Sequence, residues 1–223
     1  MTTRLPAAVF WDMDGTLINS EPYWMTAEAE LVRRYGGDWG HEQGLQLVGR
    51  GLWDSARIIQ ATGVPLGEDE IVATLTERVM QQLVEQGTPW RPGARELLAA
   101  VRDAGVPSAL VTMSTRRMAE LVVSGIGFEA FDALVTGDDV SEPKPHPEPY
   151  LRAAELLEVA PAQSVAIEDS LPGVTSAVAA GMITVGVPFI AEIPDAAGHI
   201  VWTTLEGRTV ADLGALVTAE VTR

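Results

Sequence analysis

The sequence predicts an α/β fold: a parallel sheet covered by helices on both faces, with an all-helical block inserted after its first strand. Three observations carry this. From Pro92 onward, short apolar segments alternate with helical patterns, the signature of strand–helix–strand units. Between residues 18 and 90 every patterned segment has helical spacing and none reads as a strand. The run Ala8-Val9-Phe10-Trp11 near the N-terminus is a short buried strand that belongs with the later ones.

Taken in order, the first strand stops where Asp12 and Asp14 appear, and Gly15 marks a turn. Pro22 can open a helix on which Trp24, Ala27, Leu31, Val32 and Tyr35 recur before Gly36-Gly37 ends it. A second helix is expected over Leu52 to Ala61. A third carries Val72, Leu75, Val79 and Leu83 on one face until Gly87. Pro92 and Glu96 suit a helix start, and Gly105 its end. Strands follow at Ser108 to Thr112, Ala133 to Thr136, Ser164 to Ile167 and Ile183 to Val187. Helices are expected at Arg116 to Ser124, Pro147 to Glu158 and Leu171 to Ala180. Ile200 to Trp202 reads as a last short strand and Val210 to Val217 as a closing helix. The expected division is therefore residues 1–17 and 91–223 for the α/β core and 18–90 for the helical insert.

Composition narrows the function. The chain has 223 residues, 47% apolar and 21% charged, enough for a sizeable core in one large or two modest domains. A formal charge of −16 argues against nucleic acid as a partner and leaves any anionic substrate in need of local cations. With no cysteine, thiol catalysis and thiolate metal sites are excluded. The apolar run after Arg4 is cut short by Asp12, and Met182 to Ala191 falls short of the ~20 residues of a membrane span, so a cytoplasmic location is expected.

In parallel α/β sheets ligands bind beyond the carboxyl ends of the strands. There stand Asp12 and Asp14 after the first strand, Thr112 and Ser114 after the second, Lys144 in the loop after the third, and Glu168, Asp169 and Ser170 after the fourth. Each has a bland alternative. An Asp-Gly turn, an ordinary strand-end threonine, a solvated lysine and an acidic helix start would explain them one by one. Their shared placement at one sheet edge makes them candidates for a single site. Paired carboxylates at a strand end repel, and a hard divalent cation such as magnesium offsets that.

Asp12-Met13-Asp14-Gly15-Thr16, Thr112, Lys144-Pro145-His146-Pro147 and Ile167-Glu168-Asp169-Ser170-Leu171-Pro172-Gly173 resemble, in order, the four signatures of the haloacid dehalogenase-like superfamily. The subgroup resembled is that of β-phosphoglucomutases and sugar-phosphate phosphatases with a helical cap. The resemblance implies a Rossmann-like core. It implies that Asp12 attacks phosphorus to form an aspartyl-phosphate and that Asp14 serves as acid and then base. Thr112, Ser114 and Lys144 would bind the phosphoryl group, and Asp12, Asp14 (through its carbonyl), Asp169 and Glu168 would hold Mg²⁺. The expected activity is hydrolysis of a small phosphorylated metabolite, a sugar phosphate first, by a monomer without membrane or nucleic-acid partners.

Asn19-Ser20-Glu21-Pro22 resembles the sugar-phosphate phosphatases of the 2-deoxyglucose-6-phosphatase kind, and Val48-Gly49-Arg50 resembles the cap segment that directs an arginine to substrate. Arg50 is thus a candidate substrate contact, with a plain surface charge as its alternative. A phosphate-edge role for Arg116 or Arg117 has less support. β-Phosphoglucomutases carry a histidine where this chain has Trp24, which favours hydrolysis over phosphomutase chemistry. A non-catalytic binding module would be expected to have lost some of the charged residues, and all are present. Gly125-x-Gly127 follows a helix and reads as a helix stop, while His41, His146 and His199 form no spaced set.

Overall fold

The computed structural model describes residues 4–194 and 198–220, so the ends of the expected core at 1–3 and 221–223, and its segment 195–197, lie outside the described residues. Six strands form one sheet: β1 (Val9–Trp11), β2 (Ser108–Val111), β3 (Ala133–Val135), β4 (Val165–Glu168), β5 (Ile183–Gly186) and β6 (Ile200–Val201). Their order is β3-β2-β1-β4-β5-β6, and every neighbouring pair is parallel. The protein therefore has the parallel α/β architecture that the alternating pattern predicts and the Rossmann-like core that the resemblance implies. β1 is central, in register with both neighbours: Phe10 lies opposite Ala109 and Ala166.

Side chains alternate across the strands into two cores. On one face Val9 and Trp11 join Leu110, Val165, Ile167 and Val185. They pack with residues of α5 (Ala94–Asp103), α6 (Arg116–Ser124) and α9 (Val210–Glu220), among them Leu97, Val122 and Leu213. On the other face Ala8, Phe10, Ala109, Val111 and Ala166 meet Tyr150 and Ala153 of α7 (Glu148–Leu156) and Ala177 of α8 (Leu171–Ala179). Burial on both faces is why these strands read as continuous apolar runs rather than as alternation.

Between β1 and β2 lie α1 (Glu21–Arg34), α2 (His41–Leu45), α3 (Leu52–Ala61) and α4 (Glu68–Gln86), where the sequence predicts only helices. Helix α4 packs against α1 and α3, and Leu31, Ile59, Ile71, Leu75 and Val79 are all buried in this block. Its two chain crossings meet at an antiparallel bridge between Ile18 and Trp90. The sequence reading misses α2, whose five residues are too few to establish a period. It also ends β4 one residue early: Glu168 is the last residue of the strand, fully buried, not the first beyond it. Among the described residues no helix is long and apolar enough to cross a membrane.

Candidate active site

Because β1 is flanked by β2 and β4, the carboxyl ends of three adjacent strands deliver their side chains to one place. Asp12 follows β1 directly, and its Oδ1 lies 2.8 Å from Lys144 Nζ. Lys144 comes from the loop between β3 and α7 and is reached across a cis Lys144–Pro145 bond. Its ammonium also donates to the Val111 carbonyl at 2.8 Å and to Glu168 Oε1 at 2.6 Å, so its three protons have three acceptors. Burial works against charge on Lys144, yet Asp12 and Glu168 overcome it and hold the ammonium above its usual range.

Tyr150, buried in α7, donates to the same Glu168 oxygen at 2.5 Å. Glu168 is raised to about 7 by burial first and by Asp12 second, against the pull of Lys144 and Tyr150. Asp169 is also held well above the ordinary carboxylate range, by burial and then by Asp12 and Glu168. One ligand atom each from Asp12, Glu168 and Asp169 lie within 4.8 Å of one another, while Oδ2 of Asp12 is buried without a hydrogen-bond partner. Three crowded carboxyl groups with one ammonium between them are an oxygen donor set that a metal ion would satisfy.

Two glycines permit this crowding. Gly15 has φ +88°, and a Cβ there would lie 1.9 Å from the Asp169 carboxylate. A Cβ on Gly173, in the first turn of α8, would lie 1.9 Å from the Glu168 carboxylate. Neither position has room for alanine without displacing an acid. The cap of α8 is Ser170, whose hydroxyl accepts from the Gly173 N–H, so Glu168 and Asp169 are not needed for that purpose.

Asp14 is turned to other partners. Ser20 donates to its Oδ1 at 2.5 Å, the Trp24 indole N–H reaches the same oxygen at 3.4 Å, and Ser114 donates to Oδ2 at 2.7 Å. Thr112 lies 3.4 Å from Oδ2 and accepts from the Ser114 N–H at 3.0 Å. Burial is the largest influence on Asp14 and raises its pKa above the usual carboxylate value, the Ser20 and Ser114 hydrogen bonds oppose this, and Asp12 adds to it. A carboxyl group so placed can carry a proton or take one.

A cavity of about 460 Å³ opens over these residues, between the strand ends and the helical block. Asp12, Asp14, Thr112, Ser114, Lys144 and Asp169 line it, and Arg50 contributes from the opposite side. Arg50 is exposed, its Nε donating to the Gln46 carbonyl at 2.7 Å. Arg116 and Arg117 are engaged elsewhere, with Asp139 and Glu77 respectively, and neither lines the cavity. Sequence reasoning missed Glu21, Glu28 and the segment Phe189 to Glu192, which also line it, and Tyr150 behind Glu168.

A parallel sheet with paired carboxylates, a hydroxyl and a lysine at adjacent strand ends defines a hydrolase of the haloacid dehalogenase-like class. The chain belongs to that family: the model described as "haloacid dehalogenase-like hydrolase" matches residues 6–181. Hexitol phosphatase B of Escherichia coli (strain K12) is 34% identical over 195 residues, covering 84% of this chain and 86% of that one. A bifunctional riboflavin kinase/FMN phosphatase of Arabidopsis thaliana is 33% identical over 188 residues, and this chain spans only 49% of its length. The crystal structure of CbbY from Rhodobacter sphaeroides in complex with phosphate superimposes with a TM-score of 0.83 at 29% identity, covering 96% of this chain and all of that one.

Proposed function

We propose that the protein is a Mg²⁺-dependent phosphatase that hydrolyses a small phosphorylated metabolite, a sugar phosphate first, through an aspartyl-phosphate on Asp12. The observation that carries this reading is the division of labour between two carboxyl groups. Asp12 is held by Lys144, whereas Asp14 is held by Ser20 and Ser114. The relatives support it, since hexitol phosphatase B is a phosphatase by name and CbbY was crystallised with phosphate.

In this reading Asp12 attacks phosphorus, and Lys144 neutralises charge on Asp12 and the phosphoryl oxygens. Asp14, whose hold on a proton burial strengthens, protonates the leaving oxygen. It then takes a proton from the water that cleaves the acyl-phosphate, which restores both groups. The Thr112 hydroxyl binds a phosphoryl oxygen, while Ser114 holds Asp14 and also faces the phosphate. Asp12, Asp169 and the Asp14 carbonyl would hold Mg²⁺, with Glu168 assisting. When bound, the ion offsets the crowded carboxylates and the charge of the phosphate.

The segment 18–90 acts as a cap over a core formed by 1–17 and 91–223, excluding bulk water and presenting Arg50 to the substrate. The enzyme works as a cytoplasmic monomer without nucleic-acid or membrane partners. Hydrolysis of p-nitrophenyl phosphate with and without Mg²⁺, followed by a panel of phosphorylated metabolites, tests the reading. No Mg²⁺-dependent phosphate release from any of them would refute it.

A further inference from the structure

Tyr150 is fully buried in α7, its ring edge-on to Phe10 with the centroids 6.4 Å apart. A phenylalanine would fill that place equally well. Packing leaves only the hydroxyl unexplained, and it donates to Glu168 Oε1 at 2.5 Å. The same oxygen accepts from Lys144 Nζ at 2.6 Å. Lys144 and Tyr150 belong to one stretch of chain, the loop before α7 and the helix itself. That stretch therefore grips the end of β4 with two donors on one oxygen.

Other contacts hold the backbone of this loop. Glu148 accepts from the Ser141 and Glu142 N–H groups, and Ser176 of α8 donates to the His146 carbonyl. The Lys144 ammonium, however, sits at the end of a flexible four-carbon stem, so its place is set by its three acceptors. The Val111 carbonyl is sheet backbone and stays where it is. Asp12 is the group that reacts, so its charge changes during turnover. Glu168 is the third anchor, and being a side chain it needs an anchor of its own. Its Oε2 has a single long contact among the described residues, Ser170 at 3.5 Å, and Gly173 beside it has no side chain to hold it. The Tyr150 hydroxyl supplies what is missing.

We infer, resting on the phosphatase reading above, that Tyr150 is a positioning residue for the reaction. Its hydroxyl fixes the Glu168 carboxylate, which in turn keeps the Lys144 ammonium on Asp12 while the phosphoryl group is transferred. Side chains that carry out chemistry are held in place by the hydrogen bonds of the residues behind them, and Tyr150 stands two contacts behind the nucleophile. The benefit falls where charge develops during transfer, so it belongs to kcat rather than to KM. A tyrosine that only filled the core would lend its hydroxyl to neither.

Tyr150→Phe tests this with p-nitrophenyl phosphate across a Mg²⁺ titration. The variant keeps the ring, and Glu168 Oε1 keeps Lys144, so no buried acceptor is orphaned and the fold should survive. Circular dichroism and thermal melting verify it. At saturating Mg²⁺ kcat should fall about tenfold, the worth of one hydrogen bond to a charged group, while KM moves by less than about twofold. para-Aminophenylalanine at the same position returns a neutral donor and should recover most of the loss. An unchanged kcat overturns the assignment, as does an amino variant as slow as the phenylalanine one. A kcat restored by raising Mg²⁺ also overturns it, by placing the effect in the metal site, and loss of the fold in Tyr150→Phe would make the hydroxyl a structural contact. Wild-type enzyme without Mg²⁺-dependent phosphate release removes the phosphatase reading itself, and this inference with it. An active wild type with kcat unchanged in the variant removes only the inference.

Discussion

Lys144 Nζ lies 2.6 Å from Glu168 Oε1, with the two side chains 5% and 0% exposed. The loop after β3 and the end of β4 are thereby joined behind Asp12, at a point where neither charge can be solvated. Breaking a buried pair leaves the remaining charge uncompensated, at a cost of about 3–5 kcal/mol. Lys144→Met should therefore destabilise the metal-free protein by that order, and Mg²⁺ should recover part of the loss. Urea denaturation with and without the ion measures both. A loss below about 1 kcal/mol, the range of an exposed pair, would mean that the contact does not persist in solution.

Asp12→Asn should abolish turnover while leaving the fold intact. An amide cannot form the acyl-phosphate, and it substitutes for a carboxylate of nearly the same shape. Circular dichroism and thermal melting check the fold, and phosphate release checks the chemistry. Substantial turnover in metal-replete buffer would take the nucleophile's role away from Asp12.

Chelation should silence the enzyme and Mg²⁺ should restore it, with Ca²⁺ a poor substitute because its larger, looser shell misplaces the phosphate. The motive is the cluster of Asp12, Glu168 and Asp169 within 4.8 Å. Full activity after exhaustive dialysis against EDTA would exclude a metal requirement.

Glu28 gives stability a pH dependence of known sign. Burial, with Glu21 adding to it, raises its carboxyl from 4.5 to about 8. Between those values the folded protein holds a proton that the unfolded chain has released, so stability falls as pH rises through the window and levels off above about 8. One such proton corresponds to a slope of about 1.4 kcal/mol per pH unit. Glu28→Gln should remove that increment, so the wild-type-minus-variant difference in unfolding free energy should decline from pH 5 to pH 8. Parallel curves across this range, on the order of three pH units, would show that Glu28 titrates normally.

Strand ends were the most legible part of this protein. Asp12, Asp14, Thr112, Lys144 and Asp169 share one cavity because a parallel sheet sends residues that follow its strands to one edge, which the strand pattern alone makes legible. The helical pattern from Arg116 to Ser124 coincides with α6 to the residue. Less legible were residues whose role depends on what folds back over them. Glu21 and Glu28 look like solvated positions on an amphipathic helix until α2 and α4 pack against α1. Tyr150 reads as core filling until its hydroxyl is seen to meet Glu168. Ser114 sits at a strand end as expected, yet its hydroxyl goes to Asp14 at 2.7 Å, a partner 100 residues away in sequence.

The last prediction separates a hydrolase from a mutase and turns on Trp24. Its indole N–H reaches Asp14 Oδ1 at 3.4 Å, where β-phosphoglucomutases are expected to present a histidine. An indole cannot exchange a proton near neutral pH, so at this position it orients Asp14 without adding an acid or base. A mutase must shield its aspartyl-phosphate from water until a second sugar takes the phosphoryl group. A hydrolase needs Asp14 in its basic form to activate water at that stage. This chain should therefore release inorganic phosphate from a hexose or deoxyhexose phosphate without a bisphosphate primer. Arg50 lines the cavity from the helical block, so Arg50→Ala should lower kcat/KM for sugar phosphates more than for p-nitrophenyl phosphate, which makes few remote contacts. The assay follows phosphate release and sugar-phosphate isomers in one tube. Bisphosphate-dependent isomer formation with little free phosphate would make the protein a mutase. Equal losses on both substrates in Arg50→Ala would place that arginine at the phosphoryl group rather than at the sugar.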